Sequence, residues 1–233
     1  MKLKYDLHTH TVWSHGKGTV EDNVKEALKK GLNKIAITDH GPWHVSYGIR
    51  DLEGYFAAID AAKKKYRGKI EILSGMELNL CSLDGKTDSF TGFENRADIL
   101  IMGFHKFTRP KDMRSLAYFY FTGRKNTVKN TDAIVKALYE NDLYILTHPG
   151  YAFTVDYSEV AKACAKTNTL FEINEKHTEL DEKIIEAAAK EGCKFIISSD
   201  AHVPENVGNV PNAINKFLST GLPINSAVRR IDQ

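Results

Sequence analysis

Residues 2–10 read KLKYDLHTH, a strand-like run that closes on two histidines with one residue between them. In an extended chain residues i and i+2 point the same way, so His8 and His10 reach one site together while Leu7 and Thr9 face elsewhere. Asp6 lies on the same side of the pleat, one step deeper, and is expected to be a buried partner and not a ligand.

Working outward, the same kind of ending recurs. Further strand candidates are KIAIT (34–38), IEILSG (70–75), DILIMG (98–103), LYILT (143–147), TLFEI (169–173) and KFIIS (194–198). Several are nearly continuous in Ile, Leu, Val or Phe, as expected of parallel strands buried on both faces. They are followed by Asp39-His40, Met76-Glu77, Phe104-His105, His148-Pro149, Asn174 and Asp200-Ala201-His202.

Helix-periodic segments separate them. Residues 20–32 follow Thr19, a natural N-cap with Asp22 three positions on. Residues 51–68 end in Gly68 and residues 180–192 in Gly192; residues 130–142, 156–168 and 209–221 repeat the theme. Strand then helix, about seven times over, predicts a parallel sheet covered by helices. No GxGxxG or GxxxxGK(S/T) follows a strand, which disfavours an open nucleotide-binding sheet. The basic, aromatic stretch 106–129 reads as an inserted loop, or loop plus short helix, over the mouth.

Composition agrees with this reading. The chain has 233 residues, 42% hydrophobic and 27% charged, enough for one core and one domain spanning 1–233. A net charge of +2 is no signature of a nucleic-acid binder. Cys81, Cys164 and Cys193 form neither a disulfide framework nor a CxxC metal site, and read as reduced thiols. With no leader-like start and no apolar run of about 20 residues, a cytoplasmic protein with no membrane span is expected.

The C-terminal strand ends of a parallel barrel meet on one face, where active sites are built. With His15 on the first loop, that face receives seven of the nine histidines plus Glu77 and Asp200. Imidazoles and carboxylates suit zinc, manganese and iron, and nine such groups exceed the needs of one ion. Two or three divalent metals are expected, with Glu77 as a bridging carboxylate. A lone strand-end histidine is usually a satisfied core residue. His44 and His177 fit that description or a substrate-facing role; the others are too many, at one end of the repeat, for packing to explain.

The motifs DLHTHT (6–11), ITDHG (37–41), GME (75–77), GFH (103–105), THPG (147–150) and SSDAH (198–202) resemble the PHP (polymerase and histidinol phosphatase) superfamily. FEIN (171–174) and INSAVRRI (224–231) are similar to its single-domain bacterial phosphatases. The resemblance implies a distorted TIM-like (β/α)7 barrel with a trinuclear metal centre. It implies that His8, His10, Glu77 and Asp200 hold one metal, that Glu77, His105 and His148 hold a second, and that His15, His40 and His202 hold the third. It also implies phosphoester hydrolysis by a metal-bridging hydroxide, on a small phosphomonoester such as a sugar, nucleotide or histidinol phosphate. The longer segment 106–129 is the departure from the family, on the face where loops choose the substrate.

Asp39, beside His40, is either an acid for the leaving group or a carboxylate that orients a histidine. Lys106, Arg109, Arg124 and Lys125 are candidates to grip phosphate, each with solvated loop charge as its plainer reading. Asn174 and His177 are placed to touch substrate. A nuclease or phosphodiesterase is the main rival, since aromatics and arginines in 106–129 could hold single-stranded nucleic acid. A non-catalytic metal sensor leaves the full ligand set unexplained. An aminohydrolase would require an eighth strand and a metal-bridging lysine.

Overall fold

The computed structural model describes residues 3–89, 96–123 and 125–223. Arg124 and the stretch 224–231, both singled out in the sequence, therefore lie outside the described residues. Seven parallel strands pair in chain order: β1 (Tyr5–Asp6), β2 (Lys34–Ile37), β3 (Glu71–Asn79), β4 (Ile99–Gly103), β5 (Ile145–Leu146), β6 (Leu170–Asn174) and β7 (Phe195–Ser198). Each falls on a segment predicted from its apolar run. β1 and β5 pair over only two residues, shorter than their sequence patterns.

The ring closes just beyond β1 and β7. Thr9 and Ala201 form a parallel bridge, and the His10 amide donates to the Ala201 carbonyl at 2.8 Å. Asp6 locks the same seam. It is buried, and its carboxylate accepts from the Ser199 amide (3.2 Å), the Ser199 hydroxyl and the Gly208 amide (2.7 Å). Asp6 is buried, as expected, and it holds the residue immediately before Asp200.

The helices are α1 (Val20–Lys30), α2 (Leu52–Lys65), α3 (Met113–Ala117), α4 (Thr127–Glu140), α5 (Tyr157–Thr167), α6 (Glu182–Lys190) and α7 (Pro211–Ser219). Thr19 and Asp22 form a reciprocal capping box at the start of α1, satisfying donors that the first turn leaves open. Gly31 ends that helix at φ +75°, a left-handed conformation that costs glycine little. Their apolar faces cover the barrel: Phe171 of β6, Phe195 of β7 and Phe217 of α7 meet at ring separations of 6.1 and 6.4 Å. All three are fully buried, so truncating any one to alanine costs about 3–5 kcal/mol.

Two departures from the sequence reading stand out. Strict alternation breaks once, because no helix occurs between β3 and β4 among the described residues. There the chain runs irregularly after Asn79, pinned by a Leu80–Thr87 antiparallel bridge. Segment 106–129 is not wholly a loop: it holds α3 and one π-helical turn (Tyr118–Thr122), and α4 begins inside it at Thr127. Its start is clipped to the loop after β2, with the Val45 amide donating to the Phe107 carbonyl (2.9 Å) and the Arg109 amide to the Trp43 carbonyl (2.9 Å).

Replacing Asp6 by alanine leaves buried donors of Ser199 and Gly208 without a partner at the seam. Asp6→Ala should lose about 2–3 kcal/mol of stability. Urea denaturation checks this: the midpoint falls while the slope holds, and an unchanged midpoint refutes the seam role.

Candidate metal centre

The strand ends converge on Glu77, which is buried near the end of β3. Its Oε1 lies 3.4 Å from His8 Nε2, 3.2 Å from His105 Nε2 and 2.9 Å from His148 Nε2. Its Oε2 lies 2.8 Å from His40 Nδ1 and 3.6 Å from His10 Nε2. Asp200 Oδ1 stands 3.3 Å from His10 Nε2, 3.7 Å from His8 Nε2 and 3.2 Å from His202 Nδ1. His15 packs against the rings of His202 (4.0 Å) and His40 (4.9 Å). All nine residues named from the sequence thus come together in space.

This crowding is held in place by the backbone. His148 and Asp200 adopt φ +66° and +52°, a left-handed region uncommon for residues other than glycine. Such strain persists only where the surroundings impose it, and it concentrates at functional sites. Gly103, ending β4, has no room for a side chain: a Cβ there would sit 2.6 Å from the His148 ring and 2.5 Å from Thr147 Oγ1.

Two ring nitrogens, His8 Nε2 and His10 Nε2, lie 3.1 Å apart. Among the described residues, His10 Nδ1, His15 Nδ1, His105 Nε2 and Asp200 Oδ1 are buried without a hydrogen-bond partner, and His40 Nδ1 and Glu77 Oε2 face each other at 2.8 Å without making a hydrogen bond of good geometry. Burying so many unpaired polar atoms is unfavourable unless something else satisfies them. Divalent cations fit, because these are the donor atoms that such cations accept. Three groups have donor atoms within 4.8 Å of one another: His8-His10-Asp200, His10-His15-His40-His202 and His40-Glu77-His105. The first and second overlap the sets implied by the family resemblance. The third differs in having His40 where His148 was expected.

Burial drives His10, His15 and His40 to the neutral form that a metal ligand requires. It lowers His40 to about 3 and His15 to about 4, and lowers His10 well below the usual imidazole range with help from His202 and His40. Burial also opposes charge on His8, but the carboxylates of Glu172, Glu77 and Asp200 outweigh it and raise its pKa well above that range. Burial alone would raise Glu77; His105, His8 and His40 outweigh it and hold the carboxyl well below its normal value.

Behind the cluster stands a set of orienting residues that the sequence did not assign. Glu172 accepts from His8 Nδ1 at 2.7 Å, which turns His8 Nε2 to the centre. Thr147 donates to Glu77 Oε1 (2.6 Å), and His105 Nδ1 meets Asn79 Oδ1 (2.8 Å), whose amide is fixed by Asp88 (2.6 Å). Glu172 had one available signal: an acidic residue inside the otherwise apolar LFEIN, two positions from Asn174 and so on the same face.

The hydrogen bonds of Asp39 match neither of the two roles offered for it. Its carboxylate accepts from the Thr11 amide (2.7 Å) and hydroxyl (2.7 Å) and from the Ser14 amide (3.1 Å) and hydroxyl (2.5 Å). It is buried and does not line the mouth, so the acid role is corrected: Asp39 shapes the loop that carries His15.

The mouth is a cavity of about 250 Å3. Lys106, His177 and His44 line it as the sequence allowed; Tyr47, Tyr151 and Lys176 join them unforeseen. Arg109 and Lys125 do not line it. Asn174 is also corrected: it is buried, donates to Glu172 (2.9 Å), and accepts from the amides of Lys176 (2.8 Å) and His177 (3.1 Å). It therefore holds the rim from behind the cavity.

The neutral histidines set the acid response of the metal-free protein. His15, His40 and His44 ionise at about 4, 3 and 4 when folded, against about 6.5 when unfolded. Between those values the unfolded chain binds more protons, so their stabilisation is complete above about pH 6.5 and drains away toward pH 4. His8 acts oppositely: its raised pKa gives stability that is complete below about pH 6.5 and lost as pH rises through the folded value. Urea midpoints with chelator present should peak near neutrality and drop steeply below about pH 6.5; a flat profile from neutrality to pH 4 contradicts this.

Comparison with known proteins agrees with the geometry. The PHP domain model matches residues 6–204, and a PHP-associated model matches residues 179–230. A probable phosphatase of Thermoanaerobacter sp. is 33% identical over 232 residues, spanning 95% of this chain and 88% of that protein. One from Shewanella frigidimarina is 28% identical, spanning 99% of this chain and 90% of its own. Among solved structures, a histidinol phosphate phosphatase of Lactococcus lactis, complexed with zinc, L-histidinol and phosphate, superposes with a TM-score of 0.69 at 19% identity, covering 94% of this chain and 93% of that one. A chain of an archaeal ribonuclease P bound to mature tRNA gives 0.56 at 14% identity, covering 92% and 87%. At those identities the structures speak for the fold alone. The domain match and the sequence relatives together establish that this chain belongs to the PHP family of metal-dependent phosphoesterases.

Proposed function

We propose that this chain is a phosphatase that hydrolyses small phosphomonoesters at a centre of two to three divalent ions. One observation carries the reading: unpaired buried nitrogen and carboxylate donors crowd the floor of an open cavity whose rim bears Lys106 and Lys176. The residues that would hold the ions are His8, His10, His15, His40, Glu77, His105, His148, Asp200 and His202. The chemistry that zinc, manganese or iron supplies there is a water acidified toward neutrality and compensation for charge building on phosphoryl oxygens.

The chain's own groups do the positioning. Glu172 fixes the His8 ring, Thr147 fixes Glu77 and Asn79 fixes His105, so the donor set is arranged before substrate arrives. The ammonium groups at the rim attract a phosphate anion. With Asp39 turned to the first loop, His177 is the residue placed to hold a proton for the leaving oxygen. Its ring lines the mouth, with Nε2 3.4 Å from Asp200 Oδ2.

The nuclease alternative has weaker support. Of the basic residues in segment 106–129 offered for a nucleic-acid track, Lys106 reaches the cavity while Arg109 and Lys125 do not. The cavity of about 250 Å3 suits a small ester better than a strand. Histidinol phosphate belongs in any substrate panel, since the Lactococcus lactis enzyme of this fold was crystallised with L-histidinol and phosphate.

Metal-replete protein should hydrolyse p-nitrophenyl phosphate and members of a panel of sugar phosphates, nucleoside monophosphates and histidinol phosphate. Chelation should abolish the activity, and zinc or manganese should restore it. Glu172→Gln should weaken metal affinity by about 10–100-fold, read by elemental analysis after dialysis against graded chelator. If metal-replete protein cleaves no monoester in the panel, or cleaves single-stranded DNA alone, the monoesterase reading fails.

A further inference from the structure

We propose that Lys176 is the residue that reads the terminal, dianionic phosphate and so makes the centre prefer monoesters to diesters. The inference rests on the phosphatase reading above and deepens it. Lys176 lies in the loop after β6, and its side chain is about half exposed (46%) on the rim of the mouth. Its Nζ sits 2.9 Å from His202 Nδ1 and 3.7 Å from Asp200 Oδ2.

The contact with His202 competes with a second one at the same ring nitrogen. His202 Nδ1 is also 2.8 Å from the backbone carbonyl of Asp200. A neutral imidazole has one N–H and one lone pair, so Nδ1 either donates to that carbonyl or accepts from Lys176, not both. Were a cation to take Nε2 of His202, Nδ1 would carry the hydrogen and turn to the carbonyl, a common arrangement for ligating histidines. Lys176 would then lose that acceptor. Asp200 offers little in exchange, since its carboxylate is itself a candidate ligand, shared with His8 and His10.

An ammonium beside a cationic centre is favoured when an anion lies between them. A terminal phosphate, with charge near −2, meets that need better than a diester with charge −1. The loop is built to keep the ammonium there. The Lys176 amide donates to Asn174 Oδ1 (2.8 Å), Asn174 donates to Glu172 (2.9 Å), and Glu172 holds His8 (2.7 Å). The backbone that carries the rim cation is thus tied, through three side chains, to the floor it faces.

The test uses full-length, metal-loaded protein and the variants Lys176→Met and Lys176→Arg. Metal content comes from elemental analysis, affinity for inorganic phosphate from titration calorimetry, and kinetics from p-nitrophenyl and bis(p-nitrophenyl) phosphate. Lys176→Met should keep its metals, bind phosphate at least about tenfold more weakly and raise the monoester KM by a similar factor, with diester kcat/KM within about twofold. Lys176→Arg should recover most of the loss. Unchanged phosphate affinity, equal losses on monoester and diester, or loss of metal in Lys176→Met each overturn the assignment. Wild-type protein inert toward every ester overturns the phosphatase reading, and this inference with it. Wild-type activity that Lys176→Met leaves intact overturns this inference alone.

Discussion

Burial of the Glu77 carboxylate at the centre of the barrel governs the rest of the site. A carboxylate removed from water is costly unless positive charge or hydrogen-bond donors meet it on every side. Thr147 supplies one hydrogen bond, and imidazoles from four other strand ends come within 3.4 Å. Burial holds His40 neutral, and the charge that His8 carries is shared with Glu172 and Asp200, so these rings do not balance Glu77 alone. The arrangement is favourable with cations among these groups and poor without them. That single imbalance accounts for the unpaired lone pairs and the crowded rings together.

The same constraint explains where the fold is strained and where it is reinforced. His148 and Asp200 bend into left-handed conformations to aim their side chains inward, and each bend stands beside a brace. Asp6 holds Ser199 and Gly208 next to Asp200, and Thr147, immediately before His148, hydrogen-bonds Glu77. The seam between the first and last strands is closed by backbone contacts at Thr9, His10 and Ala201, which interleave with the donors themselves. Closing the barrel and assembling the site are one event.

What the sequence revealed follows from periodicity. The two-residue repeat of a strand told which side chains share a face, so His8 with His10 and Asp200 with His202 were legible, as were seven strands and the end on which they deliver polar groups. Periodicity is silent about which groups meet across the barrel. His8 and Glu172 are 164 residues apart, and no local pattern joins them. Asp39 shows the same limit: it adjoins His40 in sequence, yet its four hydrogen bonds go back to Thr11 and Ser14. The break in alternation between β3 and β4, where the described residues hold no helix, escaped because irregular chain carries no period to read. Loop cations were the hardest to judge, since a lysine's reach depends on where its loop is pinned. Lys176 lines the mouth and Lys125 does not.

Strand β6 shows how little chain is needed to join floor and rim. Leu170, Phe171 and Ile173 are buried apolar residues that pack it into the barrel. Glu172 and Asn174, two apart and on one face, form a polar column within that strand. The lower residue orients His8 and the upper one fixes the amides of the loop above. Each buried polar atom of the column therefore has a partner, which removes the penalty that usually keeps such groups out of a core. The column also makes floor and rim mechanically dependent. A shift of the His8 ring would pull on Glu172, then Asn174, then the loop that carries Lys176 and His177. In a barrel whose catalytic face is otherwise built from separate loops, this column links the centre to the backbone of the loop whose side chains would meet the substrate.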